Sequence, residues 1–152
     1  MNNDNDVVKI LNNLIKTSRD GEEGFRSAAE HATDQELKNI LLERAKGCNH
    51  AVIELQKHVL NYDNNAENIE QDGTVLGAMH RGWLNFKSMI AGNSDQAILT
   101  ECMRGETVAK EEYELALKQE LPEGIHTLLQ HQYDGLMENY NLIDSLLAKF
   151  SN

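Results

Sequence analysis

The chain has 152 residues, the size of one domain with a substantial core. With 25 acidic against 14 basic residues its formal charge is −11, which argues against a nucleic-acid face and against docking on anionic lipid, both of which need clustered Lys and Arg. Two cysteines outside any CxxC pair do not make a secreted disulfide scaffold. No apolar run approaches the ~18 residues of a membrane span, and the opening MNNDNDVVK is no basic-then-apolar leader, so a cytoplasmic location is expected.

One proline and an abundance of Leu, Ala, Glu, Lys and Gln favour helices throughout, and no β-branched alternation suggests a sheet. The first helix is expected over about 5–31, with Val7, Leu11, Leu14, Ser18, Phe25 and Ala28 on its inner face. Thr33 with Glu36 forms a capping-box pattern for the second, over about 34–61, whose seam is Leu37, Leu41, Ala45, Cys48, Val52 and Leu55. A polar stretch, Asp63 to Asn68, reads as linker. Asp72 or Thr74 then caps a shorter helix over about 73–91, carrying Met79, Trp83 and Phe86 and stopped by Gly92-Asn93. Ser94 opens a helix over about 94–119 with Ile98, Cys102 and Tyr113 inward. Pro122 suits the first turn of the last helix, about 122–149, with Ile125, Leu129, Leu136 and Ile143.

Short links within the first and last pairs predict two antiparallel hairpins. Some thirty residues between the pairs are long enough to travel the bundle, whose helices reach ~38 Å at 1.5 Å per residue. The expected architecture is therefore a single all-α domain over 1–152: a four-helix bundle of two hairpins with an extra helix in the crossover. A faint repeat fits it, since Asp20 to Arg26 echoes Arg104 to Lys110, and Asn49 to Glu54 echoes Asn139 to Asp144.

Chemistry must come from polar groups on the seams. Positions seven apart share a helical face. Glu22 interrupts the row Val8, Ile15, Ala29, and Glu106 interrupts Leu99, Tyr113. These two acids are the ones that the repeat aligns. A buried carboxylate needs a partner. For Glu22 the expected partner is Arg44, at the same level of the hairpin, and for Glu106 it is Tyr133 or Tyr140. The sharper reading is a metal site holding iron, manganese or zinc, because one inward Glu from each of these helices is half of a di-iron set. The other half needs Glu-x-x-His on the remaining helices, and Glu43-Arg44-Ala45-Lys46 and Glu138-Asn139-Tyr140-Asn141 lack the histidine. His50 and Glu54, one turn apart, are the fallback ligand pair. Glu43, His50, His131 and Glu138 point away from the seams, and Cys48 and Cys102 read as small buried residues. No nucleophile elbow, phosphate loop, dinucleotide fingerprint or HExxH is present.

Asp20-Gly21-Glu22-Glu23-Gly24-Phe25, Gly77-Ala78-Met79-His80-Arg81-Gly82-Trp83 and Glu101-Cys102-Met103-Arg104-Gly105-Glu106 together resemble a bacterial family of ferritin-like four-helix-bundle proteins of unknown function. The likeness runs from about Val7 to Leu147 and implies a ferritin-like fold. It implies no activity. Two functions follow as expectations. The first is a non-enzymatic structural or partner-binding bundle, connected with stress, with a protein partner or a second copy of itself and no confident cofactor. The alternative is a divalent-metal or iron protein with oxidase or peroxide chemistry at Glu22 and Glu106.

Overall fold

Each long segment carries apolar residues at three- and four-residue spacing, so each closes a helix with one stripe to bury. In a computed structural model, which describes residues 4–62, 83 and 94–150, these are α1 (Asp4–His31), α2 (Gln35–Tyr62), α3 (Asp95–Leu117) and α4 (Glu123–Phe150). No strand occurs among the described residues. The helix expected over 73–91 lies outside them except for Trp83, as do His80, Arg81 and Gly82.

Local chemistry sets the helix starts. Ser94 caps α3 as expected, its hydroxyl taking the Ala97 N–H at 2.9 Å. At α2 the cap is Asp34 rather than Thr33: Asp34 accepts from the Leu37 N–H at 2.9 Å. Thr33 is engaged elsewhere, since its hydroxyl donates to Asp95 at 3.0 Å. Pro122 stands just ahead of α4, where its carbonyl accepts the first helical bond, from His126 N–H at 2.9 Å.

The Thr33 contact also fixes the topology. Asp95, at the start of α3, takes the Thr33 and Asp34 backbone N–H groups from the α1–α2 turn at 2.8 and 3.1 Å. At the opposite end, Asn13 of α1 and Thr17 donate to Glu112, late in α3. The helices α1 and α3 are therefore antiparallel neighbours. Since α2 runs away from that turn and α3 begins at it, residues 63–93 join opposite ends of the bundle. The closest packing is α1 on α2 and α3 on α4, with α1 against α3, while α2 and α4 touch only sparingly.

Two apolar clusters fill the interior. One gathers Phe25, Leu37, Leu41, Trp83, Ile98 and Ile143; the other gathers Leu11, Leu14, Val52, Leu55, Tyr113 and Leu129. Trp83, from the connection between α2 and α3, is 2% exposed. Its seats are glycines of the main helices. A Cβ on Gly24 would lie 2.5–2.7 Å from the indole, and one on Gly105 would also collide with it. Neither helix could come so near with any larger residue.

Gly24→Ala and Gly105→Ala should therefore each destabilise the fold by about 1–3 kcal/mol in urea titrations, through overpacking. The emission of Trp83, the single tryptophan, should shift to the red. Parental stability with unshifted emission would show that the indole does not sit between these helices.

Candidate functional site

Between the two apolar clusters lies a level of polar side chains. Glu106, on α3, is buried together with its partner, Arg44 of α2. The guanidinium Nη2 donates to Glu106 Oε1 at 2.8 Å and Nε donates to Oε2 at 3.1 Å, a two-pronged pair with side-chain exposures of 10% and 2%. Arg44 also lies over the Phe25 ring, 5.2 Å from its centroid. Phe25 in turn meets Trp83 edge to face, with centroids 5.2 Å apart and planes at 80°. Glutamate, guanidinium, phenyl and indole thus form one continuous stack through the three helices that flank Trp83.

This corrects the expected pairings. Arg44 serves Glu106 rather than Glu22, because its side chain crosses to α3 instead of staying within the α1–α2 hairpin. The Glu22 side chain is 12% exposed, accepting from Asn49 Nδ2 at 3.2 Å and from Arg26 at 3.0 Å, with Arg19 at 3.7 Å. Arg26, half-exposed, reaches back to Glu22 from the outer side of α1. Tyr133 does not reach Glu106; its hydroxyl donates to Glu114 at 2.6 Å, beside Lys110. That bond and the one from Lys110 hold the Glu114 carboxyl below its ordinary range. Tyr140 is half-buried on α4. The tyrosine of the inner layer is Tyr113, which donates to Gln132 at 2.8 Å, while Gln132 Nε2 reaches Glu54 at 3.3 Å.

Sequence reasoning missed three buried polar residues, Thr17, Asp20 and Glu101. Glu101 lies 3.3 Å from Arg104 of its own helix. Asp20 and Glu101 each precede by one turn the glycine that seats Trp83. The signal was available as acids within runs of small residues, Thr17-Asp20-Gly21-Gly24 and Glu101-Cys102-Gly105. His50 and Glu43 face outward as expected, as do His131 and Glu138. His50 comes within 3.8 Å of Glu54 but is 75% exposed.

A cavity of about 180 Å³ occupies this level. Thr17 and Ser18 of α1, Arg44 and Cys48 of α2, Glu106 and Tyr113 of α3, and Trp83 form its inner wall. Gly47, Ala51, Gly135 and Asn139 lie between α2 and α4, at its mouth. Burial pushes the Cys48 thiol up to about 11; the Arg44 charge pulls it back, and Glu106 and Glu22 push it up again. Both acids thus act on one thiol. Burial also raises Cys102 well above the ordinary thiol range, and raises Tyr113 against the pull of a Ser18 hydrogen bond. Both cysteines are free thiols. Among the described residues, no group of three or more His, Cys, Asp and Glu could hold a metal ion, and no helix is long and apolar enough to cross a membrane.

Residues 6–119 match a family model described as Domain of unknown function (DUF2383), which covers most of the chain. The chain belongs to this family. The DUF2383 match takes in α1, α2, α3 and the connection carrying Trp83, and it ends in the turn before α4. It therefore includes the Glu106–Arg44–Phe25–Trp83 stack, whereas Gln132 and Gly135 lie beyond it. No curated protein matches the chain.

Removing one partner of the buried pair strands a charge, so Arg44→Leu and Glu106→Leu should each lose about 3–5 kcal/mol of unfolding free energy. Arg44→Leu with Glu106→Leu together should lose clearly less than the sum, as a double-mutant cycle in urea would record. Simple additivity would mean that the two side chains do not interact.

Cys48 contributes to the alkaline limb of stability, beside Cys102 and Tyr113, which burial raises likewise. The folded value of Cys48, about 11, stands above the 9.0 of a free thiol, so the folded state keeps the proton longer. Stability is full below about pH 9 and declines as pH rises toward 11, by on the order of 2 kcal/mol. Urea midpoints measured over that window should fall less steeply in Cys48→Ala. An equal fall in both proteins would assign the effect elsewhere.

Proposed function

We propose that this chain is a ferritin-like four-helix bundle with a non-enzymatic, structural or partner-binding role. What supports the ferritin-like part is the antiparallel pairing of α1 with α3 and a connection that links opposite ends of the bundle. What supports the non-enzymatic part is one observation: Glu106 gives both its oxygens to the Arg44 guanidinium. A carboxylate so engaged serves as the counter-ion of a fixed cation. A divalent ion placed there would have to displace Arg44 or lie beside its positive charge, at a Coulomb penalty of several kcal/mol at an effective dielectric of about 20.

A second reading, a metal-binding bundle with Glu22 and Glu106 as ligands, has one observation in its favour. Both carboxylates influence the same buried thiol, Cys48, and so share a neighbourhood. Against it stand the partners each acid already has: Asn49, Arg19 and Arg26 for Glu22, and Arg44 for Glu106. His50 with Glu54 offers only a bidentate, largely exposed pair.

Elemental analysis of protein purified without a metal-affinity tag separates the two. The proposal expects far less than one iron, manganese or zinc per chain, and a melting temperature unmoved by chelator. Stoichiometric metal with a large melting shift on stripping, lost in Glu22→Ala and in Glu106→Ala, would replace it with the metal-binding reading.

A further inference from the structure

The polar layer does not close on itself. Arg44 uses Nε and Nη2 for Glu106, and its Nη1 makes no hydrogen bond among the described residues. That nitrogen approaches Gly47, where an added Cβ would sit 3.6 Å from it, and both residues line the cavity. The Arg44 side chain is nine-tenths buried, so this unused donor edge has little access to bulk water. Other polar groups of the wall are engaged: Tyr113 with Gln132, Gln132 with Glu54, and Thr17 with Glu112 outside the wall. The remaining surface is aromatic and aliphatic, from Phe25, Trp83, Ala109 and Leu136.

We propose that this cavity binds a small, uncharged organic molecule with an aromatic or branched apolar body and one hydrogen-bond acceptor, such as a carbonyl. The acceptor meets Arg44 Nη1, and the body rests against Phe25, Trp83 and Leu136. The size is adequate, because an engineered apolar cavity of about 150 Å³ accommodates benzene. Charge selects against ions: the wall charges of Arg44 and Glu106 cancel each other, so an ion of either sign would give up hydration on entry that the paired charges do not replace, and an anion would in addition meet Glu54. Entry lies between α2 and α4, which touch only sparingly and where Gly47, Ala51 and Gly135 leave the lips without bulk. This site is independent of the metal question, since it uses the cavity with the Arg44–Glu106 pair intact.

Trp83 is the single tryptophan and lines the cavity, so its fluorescence reports occupancy directly. Benzamide titrated into the full chain should give a saturable change at one site per chain, with a dissociation constant of about 0.1–10 mM for so small a ligand. Toluene, which lacks the acceptor, should bind about tenfold more weakly. Benzoate and benzylammonium should also bind more weakly than benzamide. A Cβ at Gly135 meets nothing within 4 Å, so Gly135→Leu can fill the mouth without backbone strain, and Ala51→Leu fills it from the other lip. Each should weaken benzamide at least tenfold while keeping a cooperative thermal transition. The proposal is overturned by an unsaturating response in the parent, by unchanged binding in a folded mouth variant, or by tighter binding of either ion or of toluene.

Discussion

The organisation of the bundle turns on the burial of Glu106. Taking a carboxylate out of water costs several kcal/mol, and only close, well-directed partners offset it. Arg44 supplies two N–H donors from a different hairpin, so the ion pair fixes the level at which α2 and α3 meet. The guanidinium needs a place of its own, and it lies over Phe25. The Phe25 edge then sets where the Trp83 indole can lie, and the indole demands glycine on both α1 and α3. Each contact conditions the next. The apolar clusters on either side supply most of the burial energy, but they would tolerate a slip of one turn more easily than this directional chain would.

The same pair breaks the symmetry suggested by the repeat. Glu22 and Glu106 occupy matching positions in the two hairpins, and both accept from α2, yet their surroundings differ. Glu22 stays at the rim with an amide and two arginines of its own helix. Glu106 is enclosed, and among the described residues its partner is the guanidinium. Asn49 bonds Glu22 across helices, whereas its counterpart Asn139 donates to the Gly135 carbonyl within α4. Matching carboxylates in a bundle can hold two cations between them. Here each already has guanidinium partners, Glu106 one from another helix and Glu22 two from its own.

Much of the fold was legible because helix periodicity is a local property. Four helices, their seams and the Ser94 cap all follow from residues within a few positions of each other, and the buried stripe of each helix agrees with the apolar spacing. The inward orientation of Glu106 was legible by the same rule. Its partner was not. Whether Arg44 turns to α1 or to α3 depends on the rotation of α2 between two hairpins, which no seven-residue row contains. Trp83 stood out as the single tryptophan, on an expected helix face with Met79 and Phe86, but its seats were not legible, because Gly24 and Gly105 look like ordinary weak points in a helix until an indole is set against them. The Thr33 cap failed for a comparable reason: a hydroxyl adequate for its own helix was claimed by Asp95, some sixty residues away.

The cavity follows from the same distribution of forces. An ion pair in the middle of a bundle interrupts apolar packing at its level, and the chain does not fill the gap with bulk. Ala51 of α2 and Gly135 of α4 line the cavity where leucines would have filled it, and Gly47 leaves Arg44 Nη1 without a bulky neighbour. Large apolar residues are available on these helices, but Leu42, Ile53 and Leu142 stand exposed on the outside. The loss of contact between α2 and α4 is compensated by the tight packing of α1 on α2 and of α3 on α4. Two well-packed hairpins joined through α1 and α3 can leave their other edge open, and that edge is where the polar layer reaches solvent.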